Sequence, residues 1–430
     1  MTYRTLINLI REKWQHAGFQ KHFQNIGWMF FARLGSMAIS FVSTAYIARN
    51  LGAANYGQLS YATSFVGLFG FLASFGIEQI LCRDLVRHPE KRNGYMGSAM
   101  TLRLAASSIT TIVCIISAFI WSPKDVSFIL ICIVSLTFIF SSFQLLSYEF
   151  QAEAKSKGPS ILSTLIVLIL NILKIGVMFY GGGVIYLAGV LLLEPILYTI
   201  GILYLRTREY GTIRNWKFDK AIAKSIARDS FPLIFASAFF AIYARIDQVM
   251  IKNMLSSESV GLYDSAVRIS ELWYFIPNII IGGLFPAIIN AKKTSEELYY
   301  RRTKKLFILI AGISVLTALP TALFSNYLVI IIFGTGFIGA VGVLKIYVWS
   351  NIGAALNLMS QQLLITENMT KIILATTFLG MITNVGLNLV MIPKYGMAGA
   401  AYASLISYVV PFFSLILFKK SRKILLNLFR

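Results

Sequence analysis

The sequence predicts an all-α, polytopic membrane protein with twelve transmembrane helices in two halves of six. The prediction rests on composition, on the lengths of the apolar runs and on the distribution of charge. Of 430 residues, 57% are hydrophobic and 13% are charged, whereas a soluble domain is roughly 45–50% apolar and about 25% charged. A chain this apolar would expose too much apolar surface in water, so we expect a lipid environment.

Twelve apolar runs are long enough to cross the bilayer core, which needs about 20 residues per helix. They cover residues 26–48, 57–81, 98–121, 126–149, 159–180, 184–205, 231–251, 263–290, 306–325, 338–364, 371–392 and 396–418. These runs occupy nearly the whole chain and leave no room for a soluble domain. Residues 1–25 carry four basic residues and no apolar core, which predicts a cytoplasmic interfacial segment rather than a signal peptide.

The basic residues fall mainly on one side of this arrangement. Of 39 Lys and Arg, 29 lie in the termini and loops of one side, four lie in the opposite loops and six lie inside the runs. The positive-inside rule makes the first side cytoplasmic and places both termini there. A missed helix would scramble this alternation, so the alternation supports the count of twelve. It also accounts for the net charge of +21, and no nucleic-acid partner is therefore predicted.

The most basic loop divides the chain into two halves. We predict an N-terminal bundle at 26–205, a cytoplasmic linker at 206–230, a C-terminal bundle at 231–418 and a basic cytoplasmic tail at 419–430. A faint internal repeat supports the division: Tyr56-Gly57 recurs 204 residues later as Val260-Gly261, and Asn171 recurs 213 residues later as Asn384. Transporters are commonly built from such repeats, with the binding site between them near the middle of the membrane.

Three stretches carry a resemblance to a known family. They are Ala48-Arg49-Asn50-Leu51-Gly52 with Tyr56-Gly57, Arg245-Ile246-Asp247 with Val260-Gly261-Leu262-Tyr263, and the block from Asn384 to Ser404 that contains Ile392-Pro393-Lys394-Tyr395-Gly396. Together they resemble signatures of the Wzx-type O-antigen and polysaccharide-unit flippases, within the multidrug/oligosaccharidyl-lipid/polysaccharide exporter superfamily. The resemblance implies two six-helix bundles around a central cavity. It also implies movement of an undecaprenyl-diphosphate-linked oligosaccharide to the outer leaflet of the bacterial plasma membrane, for O-antigen or related polysaccharide biosynthesis.

Basic residues inside predicted spans are the candidate substrate ligands. A Lys or Arg at the bilayer centre costs about 2.5–3.5 kcal/mol on insertion scales, so such residues should face an interior cavity. There they would suit a diphosphate headgroup, which arginine binds through two parallel hydrogen bonds. The six candidates are Arg33, Arg103, Lys174, Arg245, Arg268 and Lys345. We predict that Arg33, Arg245 and Arg268 share one water-filled cavity without matched carboxylates, with Lys345 or Lys174 contributing.

Some of these charges have a simpler explanation. Arg33 and Arg103 could extend to the cytoplasmic surface, and Glu271 could neutralise Arg268 from one turn further along the helix. Because all three histidines lie outside the spans, coupling to H+ or Na+ must use carboxylates. The candidates are Asp247, Glu271 and Glu78.

No cofactor or metal site is predicted. The three cysteines lack CxxC spacing, and no phosphate-binding GxxxxGKS motif is present. The expected partners are the lipid-linked oligosaccharide, the bilayer, H+ or Na+, and polysaccharide-assembly proteins.

Two other functions stay open. A drug or cation antiporter of the same superfamily should favour carboxylates in its cavity, whereas the spans hold six basic residues against about five carboxylates. A membrane polysaccharide polymerase would need a long outer loop for its chemistry. The predicted outer loops are short, as at Gly181-Gly182-Gly183, so an enzyme is not expected.

Overall fold

A computed structural model describes the backbone of residues 17–429 and the side chains of residues 35–426 except 232, 233 and 236. Most of the predicted interfacial segment 1–25 therefore lies outside the described residues, and so does the side chain of Arg33. The described chain consists of α-helices and short 3-10 turns, with no β-strand. This confirms the all-α fold class.

The α-helices of the first half are α1 (Ala17–Gly67), α2 (Gly70–Ser74), α3 (Ile77–Arg87), α4 (Arg92–Trp121), α5 (Val126–Ser135), α6 (Thr137–Ser141), α7 (Leu146–Ala152), α8 (Lys157–Phe179) and α9 (Val184–Tyr210). Those of the second half are α10 (Lys220–Met254), α11 (Ser257–Glu271), α12 (Phe275–Lys292), α13 (Glu296–Leu323), α14 (Ser325–Phe333), α15 (Ala340–Tyr347), α16 (Ser350–Thr366), α17 (Thr370–Ser414) and α18 (Lys419–Phe429). The 3-10 turns lie at Pro89–Lys91, Ser142–Leu145, Ile213–Asn215, Leu272–Tyr274, Thr335–Phe337 and Leu415–Leu417.

Many of these helices are suited to cross a membrane. Among the described residues, eight helical segments are long and apolar enough to do so, or nine if the bent pair Gly35–Gly67 and Gly70–Arg87 forms one span. Large apolar side chains such as Ile116, Ile120 and Trp121 are exposed on their surfaces, where they would be unfavourable in water and suit lipid. The chain is thus a multi-pass membrane protein, as predicted.

Two of the longest helices are interrupted by glycine. Gly52 in α1 has φ 73° and ψ 166°, and Gly396 in α17 has φ 59° and ψ −140°. Positive φ favours glycine, which has no Cβ, and both glycines belong to the motifs on which the family resemblance rests. Each of these long helices therefore consists of two helices that meet at a kink.

Apolar packing is shared between the halves in one region and separate in two others. The largest core joins Tyr56 and Ile131 of the first half to Val260 and Phe333 of the second. A second core lies within the second half, from Ile281 to Leu425. A third lies mainly within the first half, from Ile77 to Tyr210, and adds Trp216 of the linker and Ile222 and Ile226 at the start of α10. The halves thus share the largest core, whereas the second and third cores each lie mainly within one half.

The predicted linker 206–230 is folded against the first half. Arg206 is 1% exposed and its Nε lies 3.2 Å from Oε2 of the fully buried Glu149. The backbone of Lys217 packs on α4, where a Cβ on Gly97 would lie 2.5 Å from the Lys217 carbonyl oxygen. The last part of the linker forms the start of α10 at Lys220. Asp219 caps that helix by accepting a hydrogen bond from the Ala221 N–H (2.7 Å).

Candidate functional site

A buried network joins the two halves around Asp264 of α11, which is 1% exposed. Its carboxylate accepts hydrogen bonds from the Tyr56 hydroxyl of α1 (2.5 Å), Nε2 of Gln248 of α10 (2.8 Å) and Nε of Arg268 (2.7 Å). Ser64 of α1 donates to the Oε1 of Gln248. The buried charge of Asp264 is therefore satisfied by donors from both halves, which ties α1 to α10 and α11.

Arg268 pairs with Asp264 one turn earlier on α11 and not with Glu271, the partner that the sequence offered. Its side chain is 38% exposed although that of Asp264 is buried. One side of the guanidinium thus binds the Asp264 carboxylate, and the other side is exposed. Lys174 of the first half is near enough to Arg268 for the two positive charges to repel each other.

Four more charged side chains lie near Arg268 or near one of the charged residues beside it. Arg245 interacts electrostatically with Asp264 and Glu271, Glu271 interacts with Arg268, and Lys174 interacts with Arg268 and Glu194. All four are half-buried. Within the described part of the chain, none of them forms a hydrogen bond or an ion pair at hydrogen-bonding distance. We call this group the central charge cluster; its members are Lys174, Glu194, Arg245, Asp264, Arg268 and Glu271.

The central charge cluster contains as many acidic as basic side chains. The sequence predicted cations without matched carboxylates, and among the described residues this is corrected: Lys174, Arg245 and Arg268 converge with three acids. The physical reason is that uncompensated charges are costly away from water, so neighbouring carboxylates offset them. Arg245 and Lys174 are still the two bases of the cluster without a directly bonded carboxylate.

Arg103 and Glu78 neutralise each other. Nη1 of Arg103 lies 2.9 Å from Oε1 of Glu78 and also donates to the Ser74 carbonyl. Arg103 is 7% exposed, so it does not extend to the surface as the sequence allowed. The pair joins α3 to α4 within the first half, and neither member belongs to the central charge cluster.

Besides Arg103, two other predicted ligands are not placed at the cluster. Lys345 is exposed on the short helix α15, between the buried Leu344 and Tyr347. It has no described contact with the central charge cluster. The side chain of Arg33 is not among the described ones, so its predicted place in the cavity stays a prediction.

Asp247 of α10 occupies a separate polar site inside the second half and is 7% exposed. Its carboxylate accepts hydrogen bonds from the Tyr263 hydroxyl (2.7 Å), from Nδ2 of Asn388 (2.6 Å) and from the Ser404 hydroxyl. Asn384 accepts from Asn388 at 3.1 Å. No cationic side chain of the described chain pairs with Asp247, so a buried carboxylate is surrounded only by neutral oxygen- and nitrogen-bearing groups.

Sequence reasoning missed the neutral members of both sites. Tyr56, Gln248, Tyr263, Asn388 and Ser404 form the hydrogen bonds that hold Asp264 and Asp247. The sequence contains one indication of these sites, because Asn384 and Asn388 lie one helical turn apart inside an apolar run. The prediction considered only charged residues and therefore did not include them. The described residues contain no group of three His, Cys, Asp or Glu side chains that could hold a metal ion.

Comparison with known proteins identifies a family by sequence and related structures by fold. Residues 22–292 match the family model described as polysaccharide biosynthesis protein. A probable low-salt glycan biosynthesis flippase, Agl15 of Haloferax volcanii, is 22% identical over 392 residues, which cover 89% of this chain and 80% of that relative.

Solved structures share the fold. The lipid II flippase MurJ in an inward closed conformation superposes with a TM-score of 0.71 at 12% identity, covering 94% of this chain and 90% of that one. A multidrug resistance MATE family transporter in an inward-facing conformation gives a TM-score of 0.68 at 14% identity, with coverage of 91% and 95%. At these identities the likeness concerns the fold alone.

Proposed function

Since the chain belongs to the polysaccharide biosynthesis protein family, as a flippase of the multidrug/oligosaccharidyl-lipid/polysaccharide exporter superfamily, we propose that its substrate is an undecaprenyl-diphosphate-linked oligosaccharide. The substrate would move from the cytoplasmic to the outer leaflet of the bacterial plasma membrane. Its relatives are flippases and transporters, so the chain is a transporter and not an enzyme. The superfamily resemblance drawn from the motifs is thereby confirmed.

The central charge cluster is the observation that carries the proposed substrate. A lipid-linked diphosphate cannot cross hydrocarbon unaided and needs fixed cations in a protected space. Arg245 of the second half and Lys174 of the first both belong to the central charge cluster, and neither is bonded to a carboxylate of the described residues. A diphosphate bound there would accept paired hydrogen bonds from the guanidinium of Arg245. The ammonium of Lys174 would attract it as a point charge.

The helix bounds support twelve spans in two bundles, the finer layout that we propose. A straight helix of 45 residues, the length of α17, would be about 68 Å long, more than twice the roughly 30 Å bilayer core. The kink at Gly52 divides α1 into the first span and the start of a second span, which continues through α2–α3, and α4, α5–α7, α8 and α9 bring the first half to six. The kink at Gly396 divides α17 into two spans, and α10, α11–α12, α13 and α14–α16 bring the second half to six.

The sidedness follows from the basic loops, which we propose to be cytoplasmic together with both termini. The core shared by both halves then lies toward the outer side, where Lys252 of the second half also pairs with Asp125 of the first (2.8 Å). The two separate cores lie toward the cytoplasm. This arrangement is closed to the outside, and alternating access would open it by separating the halves there.

Asp247 is our proposed ion-coupling residue. The site offers a carboxylate, two hydroxyls and two carboxamides in one buried place, which can bind a proton on Asp247 or a sodium ion through oxygen ligands. Glu271 is the second candidate because it lies in the central charge cluster without a bonded partner. Glu78 would first have to release Arg103, which makes it the weaker candidate.

One observation favours a second function, a drug or cation antiporter of the same superfamily. The central charge cluster contains three carboxylates, and Glu271 and Glu194 have no bonded cation among the described residues. A cationic drug could bind these carboxylates, whereas a phosphate would bind the basic residues of the same cluster. The two functions predict opposite charge preferences for the transported molecule.

Transport by the purified full chain in liposomes tests the choice between them. We expect movement of undecaprenyl-diphosphate-linked N-acetylglucosamine between leaflets and no extrusion of the cationic dye ethidium. Arg245→Ala should reduce lipid movement, whereas Arg301→Ala on the basic surface of α13 should not. Ethidium transport that depends on Glu271, with no lipid movement, would support the antiporter and contradict the flippase.

A further inference from the structure

The short helix α14 is an addition to the second half that has no counterpart in the first. Residues 122–125 join α4 to α5 in the first half, whereas residues 324–339, which contain α14, join α13 to α15 at the equivalent place. The offset of the internal repeat rises from 204 residues before this place to 213 residues after it. The difference equals the length of α14, which has nine residues. The sidedness proposed above puts this helix at the outer end of the span α14–α16.

Arg49 of the first half caps the end of α14. Nη2 of its guanidinium donates to the Ile330 carbonyl at 3.0 Å and also to the Ile331 carbonyl. Both carbonyls lie in the last turn of α14, where carbonyl groups commonly lack a donor within the helix and the helix dipole favours a cation. The side chain of Arg49 also lies across Gly334, which ends the helix, with Cγ 3.7 Å from the place of a Cβ there. Arg49 belongs to one of the family motifs, and the function proposed above gives it no role.

Aromatic rings join the same end of α14 to α1. The ring of Phe333, which is 1% exposed, meets the ring of Phe41 edge to face at a centroid distance of 6.4 Å. Phe337, in the turn after α14, lies 5.5 Å from Phe333 and 6.1 Å from Tyr56 by ring centroids. Tyr56 also donates to Asp264. The packing of α14 on α1 is therefore continuous with the buried network that joins the two halves.

One face of α14 is held by the protein and another is exposed. Ser325 and Phe333, eight residues apart on one face of the helix, are buried, whereas Tyr327 and Ile331 are 65% and 69% exposed. Arg49 is exposed as well, so water can replace the carbonyl groups that it binds. Separation of α14 from α1 would therefore uncover few buried side chains and would leave the six-helix bundles intact.

A second link between the halves has the reciprocal arrangement. Lys252 of the second half pairs with Asp125 of the first (2.8 Å). At the repeat offset of 204, Lys252 corresponds to Ala48, the neighbour of Arg49, and Asp125 lies in the short connection 122–125. Each half thus extends a basic side chain from the end of its first span to the connection between the third and fourth spans of the other half. One base binds a carboxylate, and the other binds the carbonyl groups of the added helix.

We propose that α14 is an outer clasp, which Arg49 and Phe41 hold against α1 while the protein is closed to the outside and which leaves α1 when the outer side opens. The inference rests on the proposed function, because it uses alternating access and the proposed sidedness. α14 also packs on α13 and α15 of its own half, so it moves with the second half and away from α1. A clasp that cannot open should block lipid movement, and a clasp without Arg49 should open more often.

Distances between two spin labels test the clasp without any substrate. The labels are attached to the full chain, without its native cysteines and in nanodiscs, at Lys124→Cys in the first half and Asn326→Cys on α14; both residues are exposed. Arg49→Ala should raise the ratio of the longer to the shorter distance about three- to tenfold, the effect of losing one or two hydrogen bonds. Arg87→Ala is the matched control, because Arg87 is an exposed arginine at the end of α3 without an ion pair among the described residues. It should leave the ratio unchanged.

A reversible cross-link tests the clasp during transport. Arg49→Cys and Ile331→Cys are combined in one chain and joined by a short bifunctional thiol reagent that dithiothreitol removes. The cross-linked chain should lose lipid flipping in liposomes and recover it on reduction, whereas each single variant should keep its rate when treated with the same reagent. An unchanged distance distribution in Arg49→Ala, or undiminished flipping by the cross-linked chain, would overturn the inference. A distance shift in Arg49→Ala in a protein that moves no lipid at all would contradict the proposed function and still support the clasp.

Discussion

Gly57 and Gly261 lie backbone against backbone where α1 of the first half crosses α11 of the second. A Cβ on Gly57 would lie 1.7 Å from the Ser257 carbonyl oxygen, and one on Gly261 would lie 2.1 Å from that of Ala53. The contact is reciprocal, because Gly57 and Gly261 are 204 residues apart and so are Ala53 and Ser257. The internal repeat thus places its two equivalent glycines against each other, which explains why both positions need glycine.

We expect Gly57→Ala to destabilise the protein. Alanine normally stabilises a helix relative to glycine, but here its Cβ would overlap the Ser257 carbonyl oxygen, and overpacking typically costs about 1–3 kcal/mol. The thermal unfolding midpoint of the purified chain should fall. Gly176→Ala in α8 is the control, since no atom lies within 4 Å of a Cβ there. An unchanged midpoint in Gly57→Ala would show that the crossing is not tight.

The pair between Asp125 and Lys252 should respond to exchange of its charges. Lys252 is 7% exposed and Asp125 36% exposed by side chain, so breaking the pair should cost well below the roughly 3–5 kcal/mol of a fully buried one. Asp125→Lys or Lys252→Asp should lower the transport rate, and the double exchange should restore part of it. Restoration is measured by flipping assays in liposomes; a double variant no better than either single one would contradict the pairing.

The same pair predicts how the outer closure depends on pH. Burial alone would raise the pKa of Asp125, but hydrogen bonds from the Lys252 ammonium and from the Ser127 N–H hold the pKa below its ordinary value. A lowered carboxyl pKa contributes stability above the ordinary value of about 3.9, and this stability is lost as the pH falls through the lowered pKa. The loss of thermal stability caused by Asp125→Asn should therefore be the same at neutral pH and at about pH 5. A loss that shrinks within that range would contradict the ion pair.

Asp247→Asn should impair transport without lowering protein abundance. The amide has the same size and can keep hydrogen bonds to Tyr263 and Ser404, but it cannot bind a proton as a carboxylate does and binds Na+ more weakly. The measurement is the rate of lipid flipping as a function of an imposed H+ or Na+ gradient. Asp229→Asn, on the exposed pair with Arg83, is the control. Gradient-dependent transport at the normal rate in Asp247→Asn would remove this residue from the coupling mechanism.

A cysteine at position 217 tests the membrane orientation. Lys217 is exposed at the linker between the halves, which the basic loops place in the cytoplasm. In a chain without its native cysteines, Lys217→Cys should react with a membrane-impermeant maleimide only after the cells are opened. Labelling of intact cells would invert the proposed topology.

The sequence was a good guide to the fold, because the cost of polar groups in lipid forces long apolar helices that composition reveals directly. The glycines at 52 and 396 could also be recognised as special positions from their motifs. Helix breaks were harder to foresee: α5, α6 and α7 divide one apolar run, since short 3-10 turns there depend on packing and not on a local breaker residue.

Site residues could be predicted individually but not as pairs. Arg245, Arg268 and Lys174 were identified from the cost of burying charge, and the structure brings them together. Arg268 has Asp264 and Glu271 within one turn on its own helix, and which of the two carboxylates it pairs with depends on side-chain packing that the sequence alone does not reveal. The reciprocal pairing of Arg103 with Glu78 was missed for the same reason, as α3 and α4 meet only in the folded bundle.

The rate at which liposomes containing Arg245→Ala move undecaprenyl-diphosphate-linked N-acetylglucosamine between leaflets tests the central claim most directly. Hydrogen bonds to charged groups contribute about 1.5–3 kcal/mol, so the rate should fall about tenfold or more. Arg245→Lys should retain part of the activity, because a point charge replaces some of the attraction of the guanidinium. Arg301→Ala should match the unsubstituted chain. Full activity in Arg245→Ala would contradict the account, since the diphosphate would then not depend on the central charge cluster.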